Sequence, residues 1–140
     1  MSGQGFDLPP KAPPDVIGQR DALAVEACRA LAQAGIPVYR GQLGEEPGGR
    51  PGADVHVDSL ATGGVLVEWN TQEELATAAA DLLESGVDPS DLPHVIRHYE
   101  TVQTCMRDAL LCILASAGFH VEEADMHAYG SAVHVKGYTP

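Results

Sequence analysis

The sequence predicts an α+β domain: an antiparallel sheet of about five strands with three helices packed on one face. Three observations carry that reading. From Leu92 to Ala117, apolar residues recur in steps of three and four (Leu92, Val95, Ile96, Tyr99, Val102, Met106, Leu110, Ile113, Leu114), with no Gly or Pro after Pro93. That is the pattern of one long amphipathic helix, roughly 39 Å from end to end. Val55 to Asp58 and Val65 to Trp69 alternate apolar and polar residues around the glycine-containing turn Ala61 to Gly64, which reads as a β-hairpin with Val65, Val67 and Trp69 on one face. Finally, two helical patterns end at glycine and run straight into short strand-like segments, at Gly35 and at Gly118.

Taken in order, residues 1–14 hold four prolines, Pro9, Pro10, Pro13 and Pro14, and few apolar groups. They read as a disordered tail, with a single domain over 15–140. Asp15 suits the N-cap of a first helix running to Ala34, with Gly35 as left-handed cap and Ile36 as the apolar contact behind it. Ile36 to Tyr39 follows as a short strand. Glu45, Glu46, Pro47, Gly48, Gly49 and Pro51 make 41–52 a loop. After the hairpin, Thr71 and Glu74 form a Thr-x-x-Glu capping box opening a second helix through Leu82 and Leu83, closed by Gly86. Asp88-Pro89-Ser90 turns the corner into the long helix. Phe119 to Glu122 and Ala132 to Lys136 complete the strands.

The segment Leu31-Ala-Gln-Ala-Gly-Ile-Pro-Val38 reappears as Leu114-Ala-Ser-Ala-Gly-Phe-His-Val121. Each copy is followed by a loop, a glycine (Gly52, Gly130) and a Val-His-Val triplet centred on His56 or His134. An internal α-β-β repeat is one explanation. The generic chemistry of a glycine-capped helix running into a strand is the other.

Composition narrows function. A net charge of −12 opposes nucleic acid and anionic membrane surfaces, and favours solubility or a basic protein partner. Three cysteines, Cys28, Cys105 and Cys112, make no disulfide framework, so reduced thiols and a cytoplasmic location are expected. No apolar run is long enough to span a bilayer. Abundant Ala, Gly, Val and Pro suggest a high-GC bacterial source.

The best candidate for chemistry is one side of the long helix, where Asp91, His94, His98, Thr101, Cys105 and Cys112 fall on a line beside the apolar stripe. His94 and His98 have the i, i+4 spacing that lets two imidazoles hold one metal ion, with Asp91 one turn earlier as a third ligand. No Glu follows His94, so this is not the metalloprotease motif. No serine sits in a Gly-x-Ser-x-Gly setting. Glu45-Glu46 and Glu122-Glu123 read as solvated charge, and 48–52 lacks the end of a phosphate loop. His56 and His134 are expected to project, exposed, from the sheet face opposite their valine neighbours.

Over the first helix, Ile36-Pro37-Val38 and the 55–69 hairpin, the chain resembles small acidic secretion chaperones. That resemblance implies a dimer that holds a partner's extended segment. Two adjacent helices before the last strands, and no closing helix, depart from the family pattern.

The sequence thus favours a non-enzymatic, acidic interaction or adaptor protein without a cofactor. It would bind a protein partner and form a homodimer through Leu111 and the open sheet face, with neither nucleic acid nor membrane as ligand. A small metal- or ligand-binding protein using Asp91, His94 and His98 is the alternative.

Overall fold

The computed structural model describes residues 10–41, 51–60, 63–124 and 132–140. Residues 1–9 of the expected tail, the Glu45-Glu46 pair, the 48–50 glycine loop, residues 61–62 of the hairpin turn and the connection 125–131 lie outside the described residues.

Helix α1 (Pro14–Gln33) starts with Pro13 at the N-cap and Pro14 in the first turn. A proline there gives up only an N–H that has no partner inside the helix, and its fixed φ suits the first helical position. Asp15 therefore lies inside the first turn rather than at the cap. The chain joins the domain before residue 15: Lys11 bridges Leu60, and the Ala12 N–H donates to the Ser59 carbonyl. At the other end the Ile36 N–H reaches the Leu31 carbonyl and the Gly35 N–H that of Ala32. Gly35 has φ of 92°, which completes a Schellman cap as its glycine implies.

Strand β1 (Val38–Arg40) follows, then β2 (Gly52–Val57) and β3 (Val65–Asn70). Helix α2 (Glu73–Glu84) and helix α3 (His94–Ala117) precede β4 (Phe119–Glu123) and β5 (Val133–Tyr138). The five strands form one sheet in the order β1-β2-β3-β5-β4.

The sheet is mixed, which corrects the antiparallel expectation. β1 runs parallel to β2, with Val38 opposite Ala53 and Arg40 opposite Val55. The other three pairings are antiparallel. The stretch between Arg40 and Gly52 approaches the dozen residues that a parallel crossover needs, far more than a hairpin turn uses. The two α-β-β segments consequently differ: β1 and β2 are parallel, whereas β4 and β5 are antiparallel, with a register shift at His120 and Val121. The sequence similarity does not extend to strand pairing.

The core lies between the sheet and two helices. Ala24, Ala27 and Leu31 of α1 and Leu110 and Leu114 of α3 meet Val55, Val65, Val67, Phe119, Val133 and Val135. Only α1 and α3 lie on the sheet. α2 packs against α3 and buries only Ala79 fully, so three helices on one face becomes two, with a third laid on the second. The capping box does not form. Gln72 is the N-cap, without a side-chain bond, and the Thr71 hydroxyl donates instead to Oε1 of Gln103 on α3, 2.5 Å away. α3 starts at His94 rather than Leu92, because a residue before proline is driven out of the helical region.

The middle of the second sheet face is also buried within the single chain. Leu66 is 0% exposed, Asp58 2% and His56 6%. The expectation that His56 is solvated is corrected: the row of Leu66 and His56, at the centre of the face expected to form the dimer contact, is buried. Leu111 is likewise half-buried against the core. Among the described residues no helix is long and apolar enough to cross a membrane.

Candidate functional site

Three regions gather chemistry, each placed by a different element. The first is the outer face of α3. Its fully buried side chains, Ile96, Leu110 and Leu114, point to the core. Half a turn round, His94, His98, Thr101, Cys105, Asp108, Cys112 and Ala115 succeed one another in steps of four and three, and all are exposed. That is the spacing of a coiled-coil seam, built here from polar and small side chains. His94 and His98 stack, centroids 5.9 Å apart and planes 7° from parallel, one helical turn apart as their spacing requires. Among the described residues neither ring has a hydrogen-bond or ion-pair partner. Asp91 lies in the bend before the helix. The described residues of this chain contain no group of three His, Cys, Asp or Glu side chains arranged to hold a metal ion. The structure therefore brings His94 and His98 together without completing a site from Asp91.

The second region is a cleft of about 340 Å³ between the start of α1, the hairpin turn and β5, lined by Gln19, Arg20, Gly63, Gly64, His134 and Lys136 among others. Nη1 of Arg20 donates to the carbonyls of Asp58 and Leu60, each 2.7 Å away. The Leu60 N–H donates to Oδ1 of Asp58, and the Asp58 N–H to the Gly64 carbonyl. One guanidinium thus locks the hairpin turn onto α1. The glycines are required by contact: a Cβ on Gly64 would lie 2.3 Å from Nε2 of His134, and one on Gly63 2.5 Å from Cγ of Asp58. Burial, and then the charge of Lys136, hold the His134 imidazole below its ordinary pKa, against Glu122 and Asp58. Both causes favour the neutral imidazole. The described lining carries no hydroxyl, thiol or carboxylate, so its polar chemistry rests on Gln19, Arg20, His134 and Lys136.

Both Val-His-Val histidines fall in one row across the sheet, His56 opposite Leu66 and Leu66 opposite His134. Two strand spacings, about 10 Å, separate their backbones, and they do not share a ligand. Nε2 of His56 is buried and has no hydrogen-bond partner among the described residues.

The third region is acidic. Glu73, Glu74, Asp81 and Glu84 on α2, with Asp88 and Asp91 at the corner, are all exposed, and among the described residues none forms an ion pair. No Lys or Arg occurs between Arg50 and Arg97. Elsewhere four cations are in ion pairs: Arg29 with Glu26, Arg40 with Asp21, Arg107 with Asp108 and Glu123, Lys136 with Glu122. The bonds from Ser90 to the Asp88 carboxylate hold that group below the usual range.

Sequence reasoning placed the α3 line but omitted Asp108, which completes its alternation of steps. It missed the cleft, because nothing local to Arg20 marks its partners about forty residues away. No protein-family model matches the chain, and no curated protein or solved structure matches it.

Proposed function

We propose that the protein is a non-enzymatic interaction protein whose working surface is the acidic side formed by α2 and the corner before α3, and whose partner is a protein with a basic surface. The observation that carries this reading is the run of six exposed carboxylates from Glu73 to Asp91, with no cation among them and, among the described residues, no ion pair to neutralise them. Opposed like charge on one helix is mildly destabilising, so a neighbouring cationic surface gains from meeting it, and its approach is accelerated electrostatically. Leu83, 54% exposed among these carboxylates, supplies an apolar contact within the polar rim. Free thiols at Cys28, Cys105 and Cys112 support a reducing, cytoplasmic location.

The test is a titration of isotope-labelled protein with a lysine- and arginine-rich helical peptide, followed by NMR. Shifts should cluster on residues 73–91, weaken steeply with salt, and be lost in the Glu74→Gln/Asp81→Asn/Glu84→Gln variant. Shifts spread evenly over all exposed carboxylates, or unchanged in that variant, would overturn the proposal.

A further inference from the structure

The outer stripe of α3 has a property that one chain cannot use. His94 and His98 occupy its first turn and a half; Asp108 and Cys112 repeat the same four-residue spacing near the other end. His94 and Cys112 are separated by eighteen residues of straight helix, roughly 27 Å, so the four side chains never meet within a chain. An antiparallel copy reverses the order. With a two-fold axis midway between Thr101 and Cys105, His94 comes level with the partner's Cys112, His98 with the partner's Asp108, and Thr101 with the partner's Cys105.

We propose that two copies of this chain pair through α3 in this register, and that each half of the seam holds a zinc-class ion. Its ligands are His94 and His98 of one chain and Asp108 and Cys112 of the other. Two imidazoles, a carboxylate and a thiolate are a tetrahedral zinc donor set. The symmetry that creates one such site creates two, as an isologous interface requires. Thr101, Thr104 and Cys105 near the axis are small and exposed, so the helices can approach to the usual interaxial distance of about 8–10 Å. The stripe lies directly opposite Ile96, Leu110 and Leu114, and Thr71, just before α2, is bonded to Gln103 away from the stripe, leaving the seam open. Asp108 is 61% exposed beside Arg107, with a carboxylate oxygen available. Each chain carries a charge of −12, and two divalent ions offset repulsion where the chains meet. On binding, the Cys112 thiol releases its proton to solvent and ligates as thiolate. This inference goes beyond the acidic surface and does not depend on it.

The experiment uses the full chain under reducing conditions. Light scattering should give 14.7 kDa in chelator and twice that mass with zinc, at one ion per chain. Cobalt in place of zinc should show tetrahedral d–d absorption and a thiolate-to-cobalt charge-transfer band. Cys112→Ser should abolish that band, and Cys112→Ser and His98→Ala should each weaken metal-driven dimerisation more than roughly 100-fold, beyond the usual cost of losing an outer-shell contact alone. Cys105→Ser and the α2 carboxylate variant should leave it intact. All four positions are exposed, so circular dichroism will confirm that the variants fold. A dimer that persists in chelator, a monomer at saturating zinc, a cobalt complex without the thiolate band, or a Cys112→Ser chain that dimerises as tightly as the parent would each overturn the proposal.

Discussion

At the scale of single residues, Gly63 and Gly64 separate two kinds of crowding. A methyl at Gly64 meets the end of the His134 side chain, while one at Gly63 meets Cβ and the carbonyl oxygen of Asp58, both 2.7 Å away. A side chain can rotate aside and backbone cannot, so Gly63→Ala should cost more stability than Gly64→Ala. Each falls in the range of about 1–3 kcal/mol for overpacking, read from urea midpoints. His134→Ala should recover most of the Gly64→Ala loss and none of the Gly63→Ala loss. His134 also gives the domain an acid sensitivity. Its pKa is lowered by burial and by Lys136, so the unfolded chain takes up the proton first. Its contribution is complete above the ordinary histidine value of about 6.5 and is lost as pH falls through that value toward the lowered one. Urea midpoints of His134→Gln should therefore fall less than those of the parent between about pH 7 and pH 5.

Among the elements, α3 carries two layers of meaning that its periodicity does not separate. Leu110 and Leu114 are fully buried, whereas Met106, in the middle of the sequence's apolar stripe, is only half-buried. Leu110→Ala should cost about 2–5 kcal/mol in chemical denaturation, and Met106→Ala clearly less. The glycine caps at Gly35, Gly86 and Gly118, each with positive φ, were legible because a cap depends on a few adjacent residues. The capping box at Thr71 and Glu74 was misread because the same hydroxyl has a better use in tertiary structure. Thr71→Val should cost about 1 kcal/mol, and a double-mutant cycle with Gln103→Leu should recover that coupling, where a local cap would show none.

The molecule as a whole is built around a core that α2 does not enter. α2 touches the domain through α3 and fully buries one residue, Ala79. Its amides should therefore exchange with solvent well before those of β2, β3 and β5, in a native-state hydrogen-exchange experiment. The layer order, the hairpin and the core face were readable because alternation and helical periodicity report burial directly. The parallel direction of β1 was not, since nothing in a three-residue strand fixes which way its neighbour runs. The burial of His56 and Asp58 was not readable either, because Asp54-Val-His-Val-Asp58 has the alternation of a strand with one wet face. The two rims of the sheet differ in kind. β1 is only three residues long; β4 is longer but is kinked by its register shift and exposes His120, Glu122 and Glu123. A strand added at β4 would face a row of carboxylates on a bent template, and one added at β1 would find almost no template. Growth into fibrils by edge-to-edge stacking is thus blocked at both margins, so a concentrated solution of this acidic protein should stay free of cross-β aggregate as long as the fold holds.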